Sequence, residues 1–228
     1  GDIYVRMEGD ANILSRLVGG SNAGTVNGNI TLDLISGTAY RVDAAGLGWE
    51  WMDDNGKLVT DHAYINGEVK VNLYSAFQLG TGYERGLPSG IYGGMEMSNL
   101  VLLTGNCTSS LHFAESGTYE LGFIGADGYS TSEDSIIVTG FDRFIMEDGA
   151  HAMLGLGKFD IDMDPNKTLS IEGKGVVEVI GHGENFGRNI ILRDSATLKI
   201  STSVIGLTTN DDDRTITVTE GSTIDFSG

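Results

Sequence analysis

The chain has few basic residues, and this shortage limits the partners it can bind. Its 228 residues include 14 Lys and Arg against 32 Asp and Glu, which gives a formal net charge of −18. A field of that sign repels phosphate backbones, and the basic residues form no cluster that could release counterions from DNA or RNA. We therefore expect no nucleic-acid partner and no attraction to an anionic membrane surface.

Cysteine, proline and long apolar runs are also scarce. Cys107 is alone, so an intrachain disulfide or a cysteine-based metal cluster is excluded, and we expect a small buried residue there. No run of about 18 apolar residues occurs, which argues against direct membrane insertion. The chain starts at Gly1 without an initiator Met or a signal peptide. We expect a single domain over 1–228, cut from a larger surface or secreted protein with neighbouring domains.

Glycine is abundant where proline is rare, and helix signals are nearly absent. The 34 glycines interrupt most stretches, while 40% hydrophobic content is too high for a disordered acidic tail. Apolar residues alternate with polar ones, which predicts short strands with one buried face. The clearest alternating segments are 30–34, 69–73, 159–163 and 216–219.

Pairs of short strands recur along the chain. Near the C-terminus, similar pairs cover 168–180, 190–200 and 215–226, with offsets of roughly 21 to 26 residues, the length of one solenoid coil. Looser copies match Val26-Asn27-Gly28-Asn29-Ile30 with Ile65-Asn66-Gly67-Glu68-Val69, and Val18-Gly19-Gly20 with Ile91-Tyr92-Gly93-Gly94. The segments 49–62 and 80–90 between them are predicted to be loops that bulge from the stack.

These repeats predict an all-β fold, a single parallel β-helix of about eight coils with loop insertions in its N-terminal half. Glycine at the corners supplies positive φ angles and close backbone approach, and the lack of proline leaves parallel ladders uninterrupted. A Greek-key β-sandwich stays open as the alternative, because short strands with frequent turns would also fit that fold.

The Asn-Gly-Asn-Ile-Thr-Leu phrase at 27–32, the Ile-Tyr-Gly-Gly phrase at 91–94 and the tail at 215–224 resemble right-handed parallel β-helix repeats of bacterial surface adhesins and autotransporter-type passenger domains. The resemblance implies a non-enzymatic, rod-like segment of an extracellular or cell-surface bacterial protein that displays loops to a host surface or a carbohydrate. Two alternatives remain open: a polysaccharide lyase or glycoside hydrolase on the same scaffold, and a purely structural stalk.

Four aromatic residues on Gly-rich segments are candidate ligand contacts. Large amphipathic rings are costly to leave exposed unless a ligand such as a sugar stacks on them. The alternative is that the segment around 49–52 folds back and covers the side of the solenoid. The candidate ligand-binding residues are Trp49, Trp51, Tyr83 and Tyr92.

Two acidic segments are candidate calcium ligands, and we expect no other cofactor. Asp160, Asp162 and Asp164 have the alternating spacing of the first half of a calcium loop, although Pro165 stands where such a loop has glycine. The run Asp211, Asp212 and Asp213 is predicted to occupy a turn. The alternative for both segments is an acidic surface exposed to solvent.

No residue is assigned a catalytic role. Gly181-His182-Gly183 resembles the Gly-His-Gly motif of polygalacturonase-like hydrolases, but in those enzymes the acidic motifs precede the histidine, whereas here they follow it. The sequence therefore favours a protein that is not an enzyme.

Overall fold

The computed structural model describes residues 1–80, 89–94, 101–103, 107–121, 136–155, 168–181, 189–202, 208–209, 212–213 and 215–227. This part of the chain is all β and contains no helix, so none of it offers a helix that could span a membrane. The strands in chain order are β1 (Ile3–Met7), β2 (Asn12–Val18), β3 (Ser21–Asn22), β4 (Thr25–Val26), β5 (Ile30–Asp43), β6 (Gly46–Leu47), β7 (Trp49–Met52), β8 (Leu58–Asp61), β9 (Ala63–Ile65), β10 (Val69–Leu79), β11 (Ser89–Tyr92), β12 (Val101–Leu103), β13 (Ser109–Phe113), β14 (Gly117–Leu121), β15 (Ile136–Thr139), β16 (Arg143–Met146), β17 (Ala150–Gly155), β18 (Thr168–Gly173), β19 (Val176–Gly181), β20 (Asn189–Arg193), β21 (Thr197–Thr202), β22 (Thr208–Thr209), β23 (Asp212–Asp213), β24 (Ile216–Val218) and β25 (Thr223–Asp225).

Most of these strands pair in parallel. The main sheet has eleven strands in the order β15-β11-β5-β10-β13-β16-β18-β20-β24, with β1 and β2 also paired to β5. A five-stranded sheet follows the order β14-β17-β19-β21-β25, and a three-stranded sheet the order β12-β9-β4. Within the described ranges, β7–β8 and β22–β23 are the antiparallel pairs. In the described part of the chain, β1 and β2 form one edge of the main sheet, β24 forms another, and β15 pairs only with β11, so the sheet does not close on itself.

The register of the main sheet sorts its residues into rows that run across the strands. Because side chains alternate between the two faces of a strand, each row is either buried or exposed along much of its length. One row is buried at Leu32, Val71, Leu111, Phe144, Ile171 and Leu192, and it ends at the partly buried Val5 and the exposed Val218. The next row, on the outer face, contains Arg6, Asp33, Asn72, His112, Ile145, Glu172 and Arg193.

A single hydrophobic core joins the two large sheets. From β16 onward the chain visits them in turn, with β16, β18, β20 and β24 in the main sheet and β17, β19, β21 and β25 in the five-stranded sheet. The inward residues Ala152, Val177 and Leu198 of the five-stranded sheet belong to the same core cluster as Phe144 and Ile171 of the main sheet. Apolar area removed from water in this core is the main favourable term for folding.

The predicted C-terminal repeat is confirmed. Strands β18 and β19 match the first predicted pair, and the next pairs correspond to β20 with β21 and to β24 with β25. Leu169 pairs with Ile190, and Ile190 pairs with Ile216, so the sequence offsets are the spacings of neighbouring parallel strands. The alternating segment at 159–163 lies outside the described residues.

The looser Asn-Gly repeat is confirmed as well, because its two copies lie directly against each other. Val26 pairs with Ile65, the Asn66 amide donates to Asn27 Oδ1 at 2.6 Å, and Ile30 pairs with Val69. A side chain at Gly67 would collide with the carbonyl of Gly28, so only glycine permits this approach of the two backbones.

The structure decides one alternative and refines two expectations. The Greek-key sandwich is excluded, because that fold pairs its strands antiparallel whereas the large sheets are parallel. Segment 49–62, predicted to be a loop that bulges from the stack, forms the antiparallel hairpin β7–β8. Cys107 is a free cysteine, but it is partly exposed instead of buried.

Candidate functional site

The hairpin formed by β7 and β8 projects from a base that is held by parallel strands. Strand β6, which precedes it, pairs with β3, and strand β9, which follows it, pairs with β4 and β12. Both ends of the hairpin are therefore attached to regular structure. Its own two strands pair only with each other among the described residues, and all four residues of β7 are exposed, including those on both faces.

The hairpin register places the two tryptophans on one face. Trp49 lies opposite Asp61, and Trp51 lies opposite Val59. Residues that are directly opposite each other in an antiparallel pair share a face, and so do residues two positions apart along one strand. The Cα atoms of Trp49 and Trp51 are therefore about 6.8 Å apart. Trp49 is 56% exposed and Trp51 39%, so the rings form a solvent-facing aromatic surface.

The opposite face of the hairpin is also apolar near its tip. Met52 pairs with Leu58, and their side chains are 64% and 55% exposed. Further from the tip, the Thr60 hydroxyl donates to Glu50 across the same face at 3.3 Å. Exposed apolar residues that occur singly need no explanation, but a group of them on one projecting element marks an interaction surface.

The tip of the hairpin is ordered by Asp53. The backbone N–H groups of Asn55 and Lys57 donate to Asp53 Oδ1 at 2.9 and 2.8 Å, and Gly56 adopts a φ of +74°. These bonds, led by the one from Lys57, lower the pKa of Asp53. A side chain that bonds the backbone two residues onward is the usual device for building a tight turn, so the tip has one defined conformation.

The tryptophan face combines flat apolar rings with a hydrogen-bond acceptor. The indole rings offer rigid contact area with few rotatable bonds, and Asp61 is an exposed carboxylate on the same face. A ligand that presents an apolar face and hydroxyl groups fits this surface. Tyr64, at the base of the hairpin, adds a further exposed ring, which lies 5.9 Å from the His62 ring between centroids.

Of the two tyrosines predicted beside these tryptophans, Tyr83 lies outside the described residues. Tyr92 is in β11 and is only 3% exposed, so the prediction that it stands on an exposed loop is wrong. Its ring covers the guanidinium of Arg41, with Cζ 3.9 Å from the ring centroid. The position thus has a structural role inside the sheet.

Arg41 itself is a buried charge that the sequence did not identify. It is 1% exposed, and its Nε and Nη2 atoms lie 2.8 and 2.7 Å from Oδ1 of Asp43, which is equally buried. The two residues are separated by one position in β5, so they share a face of that strand. An Arg-x-Asp pattern is too common to reveal such a pair before the register is known.

Four of the six candidate calcium ligands, Asp160, Asp162, Asp164 and Asp211, lie outside the described residues. Asp212 and Asp213 form β23, which pairs antiparallel with Thr208 and Thr209, so these two residues are in a short strand where the sequence predicted a turn. In the described part of the chain, no group of three His, Cys, Asp or Glu side chains could hold a metal ion.

A ladder of polar side chains crosses the outer face of the main sheet, and sequence reasoning missed it. The Tyr4 hydroxyl and the Asn72 amide donate to the two oxygens of Asp33 at 2.6 and 2.7 Å. His112 continues the ladder, with Nδ1 2.9 Å from Asn72 Oδ1 and Nε2 3.0 Å from Glu147 Oε1. Because both Asp33 oxygens already accept hydrogen bonds, this carboxylate is poorly placed to act as a base, and the ladder joins neighbouring strands instead.

A second polar cluster surrounds Glu178 on the outer face of the five-stranded sheet. His151 Nε2 donates to Oε2 at 2.7 Å, Lys199 Nζ lies 2.9 Å from Oε1, and the Ser201 hydroxyl also donates to Oε1. Burial alone would raise the pKa of Glu178, but the bonds from Ser201, Lys199 and His151 outweigh it and the pKa is lowered. The cluster connects β17, β19 and β21 and leaves the carboxylate fully engaged.

Comparison of the chain with protein-family profiles, with curated proteins and with solved structures found no match. The functional argument therefore depends on the geometry of the chain itself. Within that geometry, the β7–β8 hairpin is the described element whose large apolar side chains face solvent on both sides.

Proposed function

We propose that this chain is a non-enzymatic segment of a bacterial cell-surface or secreted adhesin, built as a right-handed parallel β-helix of about eight coils, whose β7–β8 hairpin binds carbohydrate. The observation that carries the proposal is the solvent-facing pair Trp49 and Trp51 on an ordered, projecting hairpin. The parallel pairing of strands 21 to 26 residues apart supports the β-helix.

The surroundings of the tryptophans favour a neutral sugar. Glu50, Asp53, Asp54 and Asp61 lie on the hairpin, and the whole chain carries a charge of −18. These charges repel uronic acids, sialic acids and sulfated glycans, while Asp61 accepts hydrogen bonds from sugar hydroxyls. The ligand is therefore a neutral oligosaccharide whose ring faces stack on the indoles.

A glycan array followed by titration calorimetry tests this function. We expect binding to neutral oligosaccharides, and Trp49→Ala and Trp51→Ala each weaken that binding by about tenfold or more, because truncating a central aromatic contact typically costs about 2 kcal/mol. The matched control is Phe226→Ala, which removes another exposed aromatic ring, 70% exposed, far along the chain from the hairpin. Equal loss of affinity in all three variants would contradict the hairpin as the binding site.

The glycan array and an activity assay on the unmodified chain distinguish the adhesin from the two alternative functions. A purely structural stalk binds nothing on the array and is indifferent to both tryptophan substitutions. A polysaccharide lyase or glycoside hydrolase releases unsaturated or reducing ends from a panel of acidic and neutral polysaccharides, assayed with and without calcium. The engaged carboxylates of Asp33 and Glu178 support the non-enzymatic function, and release of either product would overturn it.

A further inference from the structure

A cavity of 390 Å³ opens between two strands that follow each other in the stack but do not pair. It lies between Ser75–Leu79 of β10 and 117–121 of β14, and we call this opening the window. Phe77, Tyr119 and Leu121 form its buried floor, whereas Gln78 and Glu120 are exposed at its rim. Because these three apolar side chains are almost fully buried, the surface that lines the window is more polar than apolar.

One side of the window is closed by regular structure. There β10 and β13 pair through Leu73 and Phe113, and the Glu115 carboxylate accepts hydrogen bonds from the Ser75 backbone and hydroxyl at 2.9 and 2.7 Å. These bonds lower the pKa of Glu115, with the Ser75 hydroxyl as the larger cause. The next described segments after β10 and β14 along the chain, β11 and β15, pair with each other.

Backbone groups of both strands face into the window. Successive residues of a strand direct their N–H and C=O groups to opposite sides. The Gly80 N–H donates to the Ala39 carbonyl in β5, so the even-numbered residues at this end of β10 face β5. The N–H and C=O groups of Phe77 and Leu79 therefore face away from β5, into the window. Gly117 N–H bonds to Gly149, so Thr118 and Glu120 direct their groups toward β10.

These window-facing groups have no strand partner in the described part of the chain. Strand β10 pairs with β5 over 76–79 and with β13 only over 69–73, while β14 pairs with β17 alone. Exposed strand edges with free N–H and C=O groups are templates for a further extended chain. The window thus combines a cavity with two facing rows of peptide donors and acceptors.

We propose that the window is a second binding site, independent of the hairpin, which takes a short extended peptide carrying an apolar side chain and a basic one. Donors and acceptors that repeat every second residue, about 6.8 Å apart, match the repeat of an extended peptide. The apolar side chain enters between Phe77 and Tyr119, and the basic side chain meets Glu120 at the rim of this strongly acidic protein.

The probe is an acetylated and amidated hexapeptide of alternating valine and lysine. Hydrogen exchange followed by NMR should show the amides of Phe77, Leu79, Thr118 and Glu120 slowed by about tenfold or more at saturation, as expected for newly bonded strand edges. A hexapeptide N-methylated at alternate residues has the same side chains but cannot bond along one edge, so we expect the two amides of one strand, either Phe77 and Leu79 or Thr118 and Glu120, to remain unprotected.

Variants separate specific binding from general attraction by charge. Glu120→Lys should lower the affinity for the valine–lysine peptide by about two- to fivefold, which is the contribution expected from an exposed ion pair. Asp10→Lys is the control, because Asp10 is equally exposed, lies far from the window in sequence and changes the net charge by the same amount. Gln78→Trp fills the opening from an exposed position and should abolish binding while circular dichroism shows the fold retained.

Three results would overturn the proposal: protection of the four amides in the free protein, equal binding of both hexapeptides, or protection of these amides by cellohexaose and not by the peptide. None of these results depends on the hairpin, so Trp49→Ala should bind the hexapeptide as the unmodified chain does.

Discussion

At the scale of single residues, Glu178 shows how this molecule holds a charge against its sheet. The side chain is 8% exposed and lies between three donors on the two neighbouring strands, His151 in β17 and Lys199 and Ser201 in β21. A buried carboxylate without partners would take up a proton, whereas this one is held in its charged form, because its pKa is lowered in spite of burial. The residue therefore links strands only while it remains ionised.

Replacing Glu178 by Gln should destabilise the fold by about 1–3 kcal/mol, because glutamine keeps the shape but loses the charged hydrogen bonds to His151, Lys199 and Ser201. Urea unfolding at neutral pH measures this loss. Glu120→Gln is the control, since Glu120 stands in the same outward row of the five-stranded sheet and is exposed. It should change stability by less than about 0.5 kcal/mol, and an equal loss in both variants would contradict the role of Glu178.

The lowered pKa of Glu178 predicts that the free energy of unfolding depends on pH. Hydrogen bonds, first those from Arg143, also lower the pKa of Glu172, against its partial burial. A carboxyl whose pKa is lower in the folded state contributes stability above its ordinary pKa, and this contribution disappears as the pH falls through the folded-state pKa. Unfolding free energies should therefore decrease as the pH falls below about 5. Glu178→Gln should flatten this decrease, and an unchanged slope would contradict the assignment.

Part of the candidate site could be predicted from residue types alone. Trp49 and Trp51 are identified because large rings near polar residues suggest exposure, and they are exposed. Tyr92 has the same surroundings in sequence but is buried, because the register of β11 against β5 places it beside Arg41 and Asp43, opposite the core-facing Ile91 and Val42, on a face that is also covered. The ladder through Asp33 and Asn72 is invisible in the sequence, since its partners are 29 to 40 positions apart.

At the scale of secondary structure elements, glycine marks where neighbouring turns approach most closely. Gly173 ends β18 with a φ of +99°, and a side chain there would collide with the carbonyl of Met146 in the neighbouring strand. Met146 and Gly173 are also partners in the register, so the collision would involve backbone that the pairing holds in place. Both the angle and the contact therefore require glycine.

Gly173→Ala should destabilise the fold by more than about 2 kcal/mol, since it adds a steric collision to an unfavourable φ angle. Gly9→Ala separates the two effects. Gly9 has a φ of +74°, but a side chain there would meet nothing within 4 Å, so only the angle is penalised, at about 1 kcal/mol. Thermal or urea unfolding of both variants provides the comparison, and equal losses would exclude the collision with Met146.

The repeated strands near the C-terminus could be predicted from the sequence, whereas the β7–β8 hairpin, which belongs to no repeat, could not. The strands from β18 to β21 follow from alternation and from spacing, because each copy repeats the same pattern of buried residues. The β7–β8 hairpin contains Trp-Glu-Trp-Met, which also alternates, but both of its faces are exposed. Alternation reports which residues share a face, whereas burial depends on what the rest of the chain places against that face.

At the scale of the whole molecule, parallel strands in chain order predict an elongated shape. If the proposed eight coils stack at about 4.8 Å, the body is near 40 Å long before the hairpin and the remaining loops are added. Small-angle scattering of the isolated chain should give the distance distribution of a short rod. A symmetric distribution typical of a sphere would contradict the proposed β-helix.

The pairing of neighbouring strands also determines how the protein responds to tension. When the two ends of the chain are pulled apart along the stacking direction, the load falls first on the outermost strands, because inner strands are held from both sides. In the part of the chain that the structure describes, β24 pairs with β20 and β25 with β21, so detaching the two strands breaks those bonds. Pairing between Leu169, Ile190 and Ile216 means that each such step frees 21 to 26 residues, or about 70–90 Å of extended chain. The molecule would thus lengthen in steps under load, absorbing work at each one, instead of failing at a single force.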